Sequence, residues 1–362
     1  MSPTAVQAAD VVVPVTTKSQ VAAPVHVTGA LEGLESVELS PTLGREYPKA
    51  NLVELLRAPN SDELIRDLAV TISERGVVVF RAQENLTNDL QKELIERLGR
   101  LTSRPAESGL HVHPLLNPGR ELGGDDPEIS IISSIQRDKY YKKESADGLS
   151  LKNQKNAQWH SDIAFEPFPA DYTSLRLAEL PKTGGDTLFA SGYDLYDKLS
   201  EPYQKFLETL SVTFEQPGFG KTAAKNGFEL YDKPRGNPAN VGSELKAVHP
   251  VIRTNPVTGW KSVFPVGEHV KHINGVTEDE SARLLSWFLD LVYKNYDLQV
   301  RLRWQNPHDI AIWDNRSVFH SAVFDYDDQG DRLGIRAVGV GERPFFDAQS
   351  VSRREALATR GK

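Results

Sequence analysis

The stretch NAQWHSDIAF, residues 156–165, sets a histidine and an aspartate two positions apart, His160 and Asp162. On a β-strand, positions i and i+2 share a face. An imidazole and a carboxylate so placed converge on one point while Ser161 turns away, which is what two ligands of one metal ion require. By itself the pair is a weak signal: with nine histidines in the chain, roughly half an H-x-D is expected by chance.

A second stretch strengthens it. NPHDIAIWDNRSVFH, residues 306–320, ends in His320, and a polar acidic turn, DYDDQGD, then leads to Arg332 and Arg336. A hairpin at that turn is expected to bring Arg332 beside the strand carrying His320. Two imidazoles and one carboxylate make the facial set of non-heme Fe(II) oxygenases, with positions left open for other ligands. A guanidinium nearby suits the far carboxylate of a dicarboxylate co-substrate. Bland readings exist for each residue. A histidine can be a core residue, and the two arginines can simply offset Asp325, Asp327, Asp328 and Asp331. His111 and His113 share the same spacing on a short LHVHP segment, but no acid adjoins them, so a second metal there is a poor reading.

Composition narrows the field. The 362-residue chain contains no cysteine, so disulfides, zinc–thiolate sites, iron–sulfur clusters and thiol nucleophiles are excluded, and any metal must rest on His, Asp or Glu. A net charge of −8 argues against general nucleic-acid binding. The N-terminus lacks the basic start and apolar run of a secretory signal, and no stretch has the length of a membrane span. A soluble, cytoplasmic protein is the expectation, with homo-oligomerisation left open.

The elements that must position these residues follow from periodicity. SDELIRDLAVTISERG (61–76) predicts a helix capped at Ser61 and closed at Gly76, followed by a buried strand, VVVF (77–80). A second helix is expected over 86–100, strands at 127–135 and 173–181, and helical pieces over 192–210 broken at Pro202. A hairpin is expected over 249–265, a helix over 278–295, and strands across 298–323 and 332–344. Residues 137–155 are polar and read as a loop or lid. There is no internal repeat and no glycine-rich phosphate loop. The pattern fits a mainly β fold with flanking helices, an antiparallel double-sheet barrel, better than a doubly wound α/β fold.

Six segments, taken together, resemble the taurine dioxygenase and chlorophenoxyacetate dioxygenase family of Fe(II)/2-oxoglutarate enzymes. They are LHVHP (110–114), NAQWHSD (156–162), PKTGGDTLFASGYDLYDKLS (181–200), HPVIRTNPVTG (249–259), NPHDIAIWDNRSVFH (306–320) and RLGIRAVGVGERPF (332–345). The resemblance implies a double-stranded β-helix (jelly-roll, cupin-like) core, with Fe(II) as cofactor and 2-oxoglutarate and O2 as co-substrates. It implies iron ligation by His160, Asp162 and His320, and 2-oxoglutarate binding by Thr187 and Arg332. It places Arg336, Asn156 and His113 on the substrate side. The taurine enzyme has a tyrosine three residues after the histidine matched by His113. Leu116 stands there in this chain, an apolar wall in place of a polar contact, which implies a bulkier or more apolar acid than taurine. The implied organisation is a tail over 1–25, a dioxygenase domain over 26–346 with a lid-like insertion near 117–155, and a C-terminal tail over 347–362. The expected reaction is oxidation of an unactivated C–H bond of a small, anionic molecule, by hydroxylation, desaturation or ring closure. A metal-dependent hydrolase and a non-catalytic binding protein on the same barrel are the rival classes.

Overall fold

The computed structural model describes residues 23–117, 123–140 and 158–360. Asn156, residues 1–22 and much of the expected lid therefore lie outside the described residues. The first part of the chain forms β1 (Val37–Glu38), β2 (Arg45–Tyr47), α1 (Leu52–Arg57), α2 (Ser61–Arg75), β3 (Val77–Phe80), α3 (Asn88–Arg100), β4 (Ser130–Ser133) and α4 (Ser134–Tyr140). The middle forms β5 (Ala170–Glu179), β6 (Thr187–Ser191), α5 (Gly192–Lys198), α6 (Glu201–Leu207), β7 (Ser211–Glu215), α7 (Pro217–Lys225), β8 (Lys246–Pro250), β9 (Ile252–Thr254), β10 (Lys261–Val263) and β11 (Val270–Asn274). The last part forms α8 (Glu278–Lys294), β12 (Gln299–Leu302), β13 (Ile310–Asp314), β14 (Val318–Ala322), β15 (Leu333–Val340) and α9 (Arg353–Arg360).

Two sheets frame the site. The larger has the order β1-β2-β3-β13-β5-β15-β4, and the smaller β12-β6-β14. All neighbouring pairs in them are antiparallel except β2 with β3. Alternation along the strands explains why the large sheet is covered on both faces. Val78 and Phe80 of β3, with Ile310 and Ile312 of β13, pack under α2 and α3 against Leu68, Ile72, Leu94 and Leu98. Val77, Val79, Ala311 and Trp313 point the other way and meet Phe189, Val300, Leu302 and Val318 of the small sheet. That second layer is the packed seam between the sheets.

Local chemistry sets the helix ends. The α2 helix stops at Gly76, whose φ of 75° is a conformation that costs glycine little. Its cap position is Asn60, one residue before the expected Ser61, and no side chain caps it. The α8 helix opens on a reciprocal capping box between Thr277 and Glu280. The break expected at Pro202 falls instead at Leu199 and Ser200, because proline is tolerated in the first turn of the following helix.

Three expectations are corrected. The His160–Asp162 segment is not a strand: His160 makes an isolated bridge, and Asp162 begins a turn. The acidic turn after His320 does not close a hairpin, since β14 pairs with β6 in the small sheet and β15 with β5 and β4 in the large one. The chain crosses between sheets there. The C-terminal tail expected over 347–362 is structured where it is described: Val351 bridges to Trp260, α9 follows, and Arg353 donates to Asp194 Oδ1 at 3.0 Å.

Candidate metal centre and active site

His160 and His320 are locked together by the backbone. His160 N–H donates to His320 O at 3.1 Å, and His320 N–H to His160 O at 2.9 Å. Because His320 sits in β14, this bridge ties the segment before β5 to the small sheet and brings the rings to a centroid separation of 4.2 Å. His160 Nδ1 lies 2.7 Å from Gln158 O. A proton on Nδ1 answers that carbonyl and leaves the Nε2 lone pair free to ligate. One ligand atom from each of His160, Asp162 and His320 lies within 4.8 Å of the other two.

The turn carrying Asp162 is built from several sides. Asp162 N–H donates to Asn315 Oδ1 at 3.0 Å, while Asn315 Nδ2 donates to Thr173 Oγ1 at 2.8 Å. The next residue, Ile163, has φ 47°, an outlier for a β-branched side chain. Past it, His249 Nε2 lies 3.0 Å from both Ala164 O and Glu166 O, and Arg235 grips the Glu166 carboxylate with two nitrogens. Gly267 (φ 86°) passes so close that a Cβ would lie 1.6 Å from Trp159 O, so only glycine fits beside the ligand segment.

The electrostatics favour an anionic carboxylate beside a neutral His320 imidazole. Burial alone would raise the Asp162 carboxyl, but Arg336 and the two histidines outweigh it and hold it well below the usual carboxylate range. Arg336 Nη1 donates to Asp162 Oδ1 at 2.9 Å. Burial pushes His320 down to about 3. Asp162 Oδ2 and His320 Nδ1 are buried without a hydrogen-bond partner among the described residues. An oxygen and two nitrogens without thiolate suit a divalent iron, and an orphaned, ionised carboxylate oxygen fits a cation beside it.

The expected co-substrate residues lie in this neighbourhood. Thr187 opens β6, buried, and accepts a hydrogen bond from Trp304 Nε1 at 3.2 Å. Arg332 precedes β15, and its Nε donates to Gly185 O at 3.1 Å, so it borders the start of β6. No acid among the described residues pairs with its guanidinium, and burial lowers its pKa. On the substrate side, His113 is buried and packs on Phe219 with centroids 5.1 Å apart. Leu116 is buried beside it. The His111 ring meets that of His113 edge-on, with centroids 6.2 Å apart, but its Nε2 turns to Glu166 Oε1, 3.4 Å away. The sequence reading passed over Asn315, His249 and Glu166, whose roles arise from contacts between distant segments that no spacing announces.

The family model "Taurine catabolism dioxygenase TauD, TfdA family" matches residues 35–338. The chain belongs to the TauD/TfdA family. The alpha-ketoglutarate-dependent dioxygenase oryG of Aspergillus oryzae is 47% identical, over 94% of this chain and 97% of its own. An alpha-ketoglutarate-dependent sulfonate dioxygenase of Saccharomyces cerevisiae is 31% identical, over 87% of this chain and 68% of its own. The crystal structure of a taurine dioxygenase from Burkholderia xenovorans superposes with a TM-score of 0.61 at 24% identity, covering 86% of this chain and 90% of that one. As a TauD/TfdA member the chain is a 2-oxoglutarate-dependent dioxygenase, and Fe(II), 2-oxoglutarate and O2 are its cofactor and co-substrates. Among the described residues, no helix is long and apolar enough to cross a membrane.

Proposed function

We propose that His160, Asp162 and His320 hold the Fe(II), that Arg332 and Thr187 receive the far carboxylate of 2-oxoglutarate, and that Arg336 and His113 face a small anionic substrate. On this reading the two facing sheets are the halves of a double-stranded β-helix, with the site at one end of their seam. The bound iron, with 2-oxoglutarate and O2, supplies the oxidising power to convert an unactivated C–H bond, with release of succinate and CO2.

The chain's own residues supply binding and orientation. The Gln158 carbonyl fixes the tautomer of His160, and the His160–His320 bridge fixes the spacing of the two imidazoles. Asn315 and His249 hold the turn that aims Asp162. Arg332, a buried cation with no carboxylate partner among the described residues, is matched to one end of a dicarboxylate. Arg336 shares its charge between Asp162 and the substrate side, and Leu116 gives that side an apolar wall. The sulfonate named for the yeast relative supports an anionic substrate.

The observation that carries the reading is the convergence of His160, Asp162 and His320, together with a buried Arg332 that no acid among the described residues pairs. The test is anaerobic addition of Fe(II) and 2-oxoglutarate, read by the weak visible charge-transfer band of the complex. His160→Ala and Asp162→Ala are expected to abolish or weaken the band and substrate-dependent succinate release. Unchanged spectra and turnover in both would refute the assignment, and turnover without O2 consumption would return the chain to the hydrolase class.

A further inference from the structure

His269, just before β11, is a fourth imidazole beside the metal ligands. Its ring stands edge-on to His160, with centroids 5.4 Å apart, and edge-on to Phe165 at 5.2 Å. The position of its proton follows from its neighbours. Gln216 Oε1 accepts the Gly218 N–H at 3.0 Å, which fixes the orientation of that amide. Gln216 Nε2 then lies 3.0 Å from His269 Nδ1. An amide nitrogen only donates, so His269 Nδ1 must accept and the ring proton must sit on Nε2.

His113 reaches the same state by another route. Its Nδ1 accepts the backbone N–H groups of Leu115 at 3.0 Å and Leu116 at 2.9 Å, so its proton is also on Nε2. Neither Nε2 has a hydrogen-bond partner among the described residues. Both rings feel the charges of Arg336 and Asp162, and Phe165 and Phe219 span the interval between them, 5.8 Å apart.

We propose that His269, held in its Nε2–H form by Gln216, donates a hydrogen bond to the substrate's oxyanion alongside Arg336 and His113. This rests on the reading of the site given above and sharpens the substrate class. Of the three donors only Arg336 is charged, and it already serves Asp162. Such a set matches a monoanion with several acceptor oxygens, a sulfonate, carboxylate or sulfate monoester, better than a phosphate dianion.

The test uses the anaerobic Fe(II)·2-oxoglutarate protein titrated with 1-butanesulfonate, butanoate, butyl sulfate and butyl phosphate, read as a perturbation of the charge-transfer band. A monoanion is expected to bind more tightly than butyl phosphate. His269→Ala should weaken that binding by about 10-fold or more, the usual effect of losing a hydrogen bond to a charged group. His269→Gln, which keeps a donor, should recover part of it. The band itself and the affinity for 2-oxoglutarate should stay as in the parent. Nitrogen-15 NMR of histidine-labelled protein should show the Nε2–H form at His269, lost in Gln216→Leu. Equal anion binding in His269→Ala, binding of none of the probes, or an Nδ1–H form at His269 would each overturn the proposal. Absence of the band in the parent protein would instead strike the metal assignment, so the two failures are distinguishable.

Discussion

Replacing Arg332 by methionine should make the co-substrate-free protein more stable while nearly abolishing its response to 2-oxoglutarate. Arg332 is 5% exposed, its Nε donates to Gly185 O at 3.1 Å, and no acid among the described residues neutralises it. Burial lowers its pKa. A basic group whose folded pKa lies below its unfolded one destabilises the fold at every pH where the unfolded group is charged, which includes neutrality. The effective penalty for burying an ion is several kcal/mol, and the lost bond to Gly185 returns about 1 kcal/mol of it. A net gain of about 1 kcal/mol is expected, visible in a chain of this size as a rise of about 1–2 °C in Tm. The co-substrate works in the opposite sense. Truncating one partner of a buried charge pair costs about 2–5 kcal/mol, which weakens 2-oxoglutarate by roughly 30-fold to several thousand-fold. The parent at 100 times its Kd gains about 2.7 kcal/mol from ligand, and the variant at the same concentration should gain less than about 1 kcal/mol. The assay is thermal unfolding with and without 2-oxoglutarate. A variant that loses several kcal/mol without ligand and keeps the parental ligand shift would show that Arg332 is a structural cation.

Other perturbations have defined outcomes. Asn315→Ala removes the acceptor that aims Asp162, and should weaken Fe(II) by about 10- to 100-fold, as loss of a ligand's supporting bond does; equilibrium titration of the metal checks it. Gly267→Ala drives a Cβ into Trp159 O and should cost more than about 3 kcal/mol in denaturant unfolding, with loss of metal binding through displacement of His160. The metal-free protein should lose stability steeply with acid. His249, His269 and His320 are each pushed by burial to about 3, below the unfolded value near 6.5, so the unfolded chain binds more protons between those limits. Each therefore removes up to about 1.4 kcal/mol per pH unit as pH falls through that window. His249→Gln should flatten the slope of a pH series of denaturation curves, and an unchanged slope would mean that His249 is not buried neutral.

What could be read in advance divides by the range of the interaction. The VVVF strand, the α8 helix and the turn of the β9–β10 hairpin are encoded within a few residues, so periodicity and turn chemistry reach them. His160, Asp162 and His320 were legible by residue type. Their means of convergence was not, because a two-residue bridge followed by a turn with Ile163 at positive φ leaves no period to detect. The expected hairpin after His320 failed for a related reason. An acidic, glycine-containing turn reads alike whether the chain doubles back within one sheet or passes to another, and that choice is made by the packing of Phe189, Val318 and Trp313. Asn315 lay in plain view inside WDNR. Its value depends on Asp162, 153 residues away, and no local rule connects the two.

The passage of the chain from β14 to β15 has a consequence for how this enzyme tolerates change. His320 and Arg332 ride on separate layers, and the distance between the proposed metal ligand and the proposed co-substrate anchor is gauged by the thickness of the hydrocarbon between those layers. The Trp313 ring packs at a tilt, its centroid 4.7 Å from that of His320 and 5.6 Å from that of Phe189, so these rings act as a shim. A thinner shim, as in Phe189→Leu, would leave every reactive group intact and yet misalign them, spoiling the coupling of co-substrate consumption to product.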